Sequence, residues 1–107
     1  MLFQHTISGP PQSGKTTTVI NVIRQYQTDG ISAVCIVQNQ VYKEYKQKRF
    51  GVPCLTIREA LENGLSGYRV IVIDDADYFQ KGTVEGVVSM LSVEGRFVTL
   101  ILVRHTK

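Results

Sequence analysis

No apolar run in this chain approaches the roughly 20 residues that a helical bilayer crossing requires, so no membrane-spanning helix is expected. Cysteine is scarce: Cys35 and Cys54 stand alone in apolar stretches, without Cys-x-x-Cys spacing or a nearby histidine. That pattern supports neither a zinc site nor a disulfide framework and reads as two buried, reduced thiols. His5 and His105 likewise lack ligand-type neighbours. Repeats, low-complexity stretches and charged tails are absent, and Met1-Leu2-Phe3 lacks the basic start of a signal peptide, so a cytoplasmic location is expected. Neither sign of charge dominates. A net charge of +3 and a pI of about 9.0 permit nucleic-acid binding without requiring it. At 107 residues the expectation is one domain, spanning 1–107, that buries roughly two thirds of its unfolded surface.

What the chain does have is Gly9-Pro10-Pro11-Gln12-Ser13-Gly14-Lys15-Thr16. This fits a phosphate-binding loop, in which glycine and four residues precede Gly-Lys-Ser/Thr. Gly9 and Gly14 allow the backbone to approach phosphate oxygens where a Cβ would intrude. Pro10 and Pro11 carry no N–H, so the backbone donors begin at Gln12 and continue through Ser13, Gly14, Lys15, Thr16 and Thr17. Lys15 brings a point charge to the β- and γ-phosphates, and the Thr16 hydroxyl suits Mg²⁺. The required context is strand, loop, helix. Leu2 to Ile7 is short, mostly apolar and β-branched, and from Thr16 to Gln27 the residues Val19, Ile20, Ile23 and Tyr26 recur at helical spacing.

A second element, Arg69-Val70-Ile71-Val72-Ile73-Asp74-Asp75, is too short for most helices and ends in two carboxylates. Such a run suits a strand buried on both faces of a parallel sheet, which delivers Asp74 and Asp75 to the carboxyl edge. Between and beyond these elements strands and helices alternate. Ser32 to Val37 reads as a strand ending in Gln38-Asn39-Gln40, Val41 to Arg49 as a short helix, Pro53 to Ile57 as an extended piece and Arg58 to Glu62 as a helix. Gly82 to Leu91 reads as another helix and Phe97 to Val103 as the last strand. The expected fold class is α/β, a three-layer arrangement of a small, mostly parallel sheet flanked by helices.

The acidic element resembles a Walker B strand, and with the phosphate loop the chain resembles P-loop NTPases of the additional-strand, RecA-like class. The resemblance implies that Asp74 holds Mg²⁺ together with Thr16, that Asp75 polarises the attacking water or a substrate hydroxyl, and that a strand lies between the loop strand and the acidic one. Phe97 to Val103 is the candidate for that strand, which would bring Arg104, His105 and Thr106 near the γ-phosphate. Two families fit nearly the whole chain. Ile7-Ser8-Gly9-Pro10 with Ser13-Gly14-Lys15-Thr16, and Ile73 to Phe79, resemble the nucleotide-binding core of zinc-lasso thymidine kinases. Here Asp75 stands where that family has Glu and Asp77 where it has Gln, and without the lasso no nucleoside site is expected. Gly9-Pro10-Pro11 with Gly14-Lys15-Thr16, the polar end of the second strand, and Thr56-Ile57 before a helix resemble the first motor domain of superfamily 1 helicases.

The shared features lead to the expectation of an Mg²⁺-dependent ATPase, with Lys15 and Asp75 as catalytic residues and ATP or another NTP as partner. Asp in place of Glu shortens the reach by about 1.5 Å, and errors of ~1 Å can cost on the order of a hundredfold, so hydrolysis is expected to be slow. An arginine finger from a partner chain or a homo-oligomer would complete the site. A degenerate nucleoside kinase and a non-catalytic, nucleotide-dependent binding module are the alternatives. Tyr42 to Phe50 interleaves basic and aromatic residues, which makes Lys43, Lys46, Lys48 and Arg49 candidate contacts to single-stranded nucleic acid. The alternative there is a helix whose tyrosines pack on the sheet while its lysines face water.

Overall fold

A computed structural model describes residues 2–9, 15–74, 76, 79, 82–93 and 97–105. Among these residues five strands, β1 (Leu2–Gly9), β2 (Ala33–Val37), β3 (Cys54–Thr56), β4 (Val70–Ile73) and β5 (Val98–His105), alternate with four helices, α1 (Lys15–Thr28), α2 (Gln40–Phe50), α3 (Ile57–Asn63) and α4 (Thr83–Val93). The strands form one sheet in the order β1-β5-β4-β2-β3, and every pairing is parallel. The expected α/β class therefore holds. So does the placement of the last strand: β5 pairs with β1 from Leu2↔Val98 to Gly9↔His105 and with β4 from Val70↔Thr99 to Ile73↔Leu102.

Alternation along the central strands divides the core into two layers. Val34 and Ile36 of β2, Ile71 and Ile73 of β4, and Leu100 and Leu102 of β5 join Ala60 of α3 and Val84, Val87 and Leu91 of α4. Their neighbours Ala33, Cys35, Val37, Val70, Val72, Ile101 and Val103 point the other way and meet Val19, Ile20 and Ile23 of α1, with Phe50 of α2 against the same layer. This is why β2 and β4 read as continuous apolar runs rather than as alternating ones. Both thiols are buried and unbridged, and Cys35 is the register partner of Cys54. Their mutual hydrogen bond and burial hold the Cys35 thiol well above its ordinary range, while the same bond draws that of Cys54 down.

Local chemistry sets the helix ends. Asn39 caps α2, its side chain accepting from the Tyr42 N–H at 3.1 Å, and Gly51 ends it at φ 67°, where its N–H reaches the Gln47 carbonyl at 3.0 Å. Thr56 and Glu59 form a capping box on α3, with Glu59 N–H donating to Thr56 Oγ1 at 3.1 Å and Thr56 N–H to Glu59 Oε1 at 3.0 Å. Among the described residues, no helix is long and apolar enough to cross a membrane.

Candidate functional site

All five strands run the same way, so their carboxyl ends share one edge. Gly9 closes β1 at this edge, residues 10–14 follow, and α1 opens with Lys15 and Thr16. The strand and helix on either side of the phosphate-loop sequence are thus in place. Gln12, Ser13, Gly14 and Asp75 lie outside the described residues, as do the side chains of Lys15 and Thr16; Thr17 is exposed on the first turn of α1. Of the residues expected near the γ-phosphate, Arg104 and the backbone of His105 end β5 beside Ser8 and Gly9, and Thr106 lies outside the described residues.

Asp74 follows β4 directly and is only 3% exposed. Strand alternation gives it the parity of Val70 and Val72, so it belongs to the face covered by α1 and α2 rather than by α3 and α4. There its carboxylate Oδ2 receives the ammonium of Lys46, itself 6% exposed, in a buried ion pair. A carboxylate so placed is a hard oxygen donor. It suits Mg²⁺, which is usually held by one or two protein carboxylates with water and phosphate completing its shell.

Lys46 departs from both readings of its segment. The stripe of α2 that faces the sheet is Lys43, Lys46 and Phe50, while Tyr42 and Tyr45 are 46% and 58% exposed. The tyrosines therefore face outward and one lysine faces inward. Lys46, expected as a nucleic-acid contact, is buried instead, with its ammonium paired to Asp74. Lys43 lies beside Glu59 of α3, its Nζ 2.9 Å from Oε1 and 3.1 Å from Oε2. That ammonium, followed by the Thr56 N–H, holds the Glu59 carboxyl below its ordinary range. Lys48 and Arg49 are exposed, with the Arg49 guanidinium 5.6 Å from the centre of the Phe50 ring. The four basic residues do not form one surface. Sequence periodicity missed the inward placement of Lys46 because Phe50, at the end of α2, is the one apolar residue of its inner stripe.

A cleft of about 330 Å³ lies at the opposite edge of the sheet, between Phe3, Tyr26, Ile31, Arg69 and Phe97. Among the described residues it has no carboxylate in its lining, and it opens by the amino ends of β1, β4 and β5. Parallel α/β sheets bind ligands beyond the carboxyl ends of their strands, so the Asp74 edge is the stronger candidate despite the smaller part of it that is described. No protein-family model matches the chain, and no curated protein matches it.

Proposed function

We propose that the chain binds a magnesium–nucleoside triphosphate, ATP in the first instance, at the carboxyl edge of the sheet and hydrolyses it slowly. The observation that carries the reading is the order β1-β5-β4, with Gly9 and the start of α1 on one side of β5 and the buried Asp74 on the other. In this reading the backbone from Gln12 to Thr17 and the Lys15 ammonium hold the phosphates, Thr16 and Asp74 hold Mg²⁺, and Asp75 orients the attacking water. Bound there, Mg²⁺ would neutralise charge on the β- and γ-oxygens. A helix N-terminus carries positive potential that favours an anion, which supports placing the phosphates beside the start of α1. A partner chain supplying an arginine finger would speed turnover, and the setting proposed is cytoplasmic.

A specific observation favours a helicase-like use of this site over a nucleoside kinase. Tyr42 and Tyr45 stand exposed on α2 next to Lys48 and Arg49, which is the combination of stacking rings and cations that single strands require. The deciding measurement for nucleotide binding is thermal stability with and without Mg-ATP. A ligand that binds only the native state stabilises it by about 2.7 kcal/mol at a hundred times Kd. Lys15→Ala is expected to lose most of that gain. Equal gains in wild type and variant would remove the phosphate-loop reading. Incubation with γ-labelled ATP, with and without single strands and nucleosides, then separates the classes: free phosphate marks an ATPase, labelled nucleotide a kinase, and neither a binding module.

A further inference from the structure

Helix α2 has apolar and aromatic side chains to bury, yet Val41 is 74% exposed, Tyr42 and Tyr45 are largely exposed, and the residue it buries is Lys46. Removing an ammonium and a carboxylate from water is costly, and a well-packed apolar pair in the same place is often as stable or more so. Stability alone therefore does not account for the Lys46–Asp74 pair. Its location does suggest an account. The carboxylate it occupies is the one at the end of β4, on the sheet face that α1 also covers, so Lys46 and the helix that opens with Lys15 and Thr16 flank Asp74 from the same side.

We propose that Lys46 is a positioning residue for the magnesium–nucleotide site, holding the Asp74 carboxylate in the nucleotide-free protein and yielding it when the magnesium–nucleotide binds. The inference rests on the nucleotide reading above. Lysine suits this exchange better than arginine would. Its ammonium is a compact point charge on a flexible four-carbon stem, whereas a guanidinium would grip both carboxylate oxygens through a rigid fork. Withdrawal is also favoured electrostatically, because a monocation and a dication on one buried carboxylate repel each other at low dielectric. The ion pair keeps the buried carboxylate compensated before the cation arrives, and it sets a threshold on cation affinity, since each binding event must break it.

The test uses the wild-type protein. Amines are acylated with a succinimidyl acetate and the modified lysines are read by mass spectrometry, for the protein alone, with Mg²⁺ alone, with ATP and EDTA, and with Mg-ATP. Nucleotide binding is followed in parallel by a fluorescent ATP analogue. Lys46 is expected to be protected in the protein alone and with ATP and EDTA, and to gain reactivity by about tenfold with Mg-ATP, the size of an ordinary coupling between sites. Lys48, exposed on the same helix, is the internal standard. Unchanged Lys46 reactivity while the analogue reports bound Mg-ATP would overturn the exchange and leave the nucleotide reading standing. No analogue binding under any condition would remove the nucleotide reading, and this inference with it. In Lys46→Gln the Mg²⁺ concentration that half-saturates nucleotide binding is expected to fall by about tenfold, and in Lys46→Arg to stay at or above that of the wild type. An unchanged or raised midpoint in folded Lys46→Gln counts against the proposal.

Discussion

Breaking the Lys46–Asp74 pair one partner at a time should be far more harmful than removing both. Asp74→Ala removes the carboxylate paired with the ammonium of Lys46, which is 6% exposed in the native protein, and breaking a buried pair from one side costs about 3–5 kcal/mol. For a chain of this length each kcal/mol lowers Tm by about 4 °C, so the expected loss is roughly 12–20 °C. Against a total stability of about 5–15 kcal/mol this is severe. Lys46→Met breaks the pair from the other side and should fall in the same range. The double variant Lys46→Met with Asp74→Leu replaces two charges by apolar groups in the same layer as Val72, Cys35 and Val37. It should return to within about 1 kcal/mol of wild type or exceed it by as much as ~4 kcal/mol. Urea unfolding at constant m-value, with Tm as the second measure, reads all four proteins. Single variants that lose less than about 1 kcal/mol would mean that the pair behaves as a surface ion pair, and the reasoning from burial would fail. A double variant as unstable as the two losses added together would refute it equally.

Asp75→Asn is expected to bind Mg-ATP as the wild type does while losing turnover, and Asp75→Glu to accelerate hydrolysis if the shorter acid limits it; an unchanged phosphate-release rate in Asp75→Asn would remove its assigned role. With Lys46 buried and Lys43 beside Glu59, only Lys48 and Arg49 remain as exposed cations of the four. Binding of a twenty-nucleotide single strand, read by fluorescence anisotropy, should therefore show a log–log salt slope of about −1.4 for two phosphates rather than about −2.8 for four. Tyr42→Ala or Tyr45→Ala should weaken that binding by about 1–3 kcal/mol each, and salt-independent binding would end the nucleic-acid reading. The Glu59 carboxyl is held low by Lys43 and by the Thr56 N–H, so its stabilising contribution is complete above the ordinary glutamate pKa of about 4.3 and is lost as pH falls through the depressed folded value. Glu59→Gln keeps the capping geometry while dropping the charge, so the stability gap between it and the wild type should close toward acid pH; a gap that ignores pH would refute the assignment.

The sheet was legible because its strands β2 and β4 are buried on both faces. Ala33–Val37 and Val70–Ile73 must be apolar at every position, which separates them from amphipathic helices without any tertiary information, and the glycines after the intervening helices punctuate the rest. Even the position of β5 between β1 and β4 followed from pairing Phe97 to Val103 with the phosphate-loop resemblance. What was not legible was the inner face of α2. Periodicity identifies a buried helical face by its apolar residues, and on this helix the inward stripe is Lys43, Lys46 and Phe50 while Val41, Tyr42 and Tyr45 are exposed. A lysine at such a position is silent until its partner is placed, and Asp74 lies 28 positions away along the chain. The failure has a physical cause that points back to the site. Local pattern and tertiary placement conflict most often at functional or strained sites, and in this chain the conflict falls on Asp74, the carboxylate that the Walker B resemblance implies as a cation ligand.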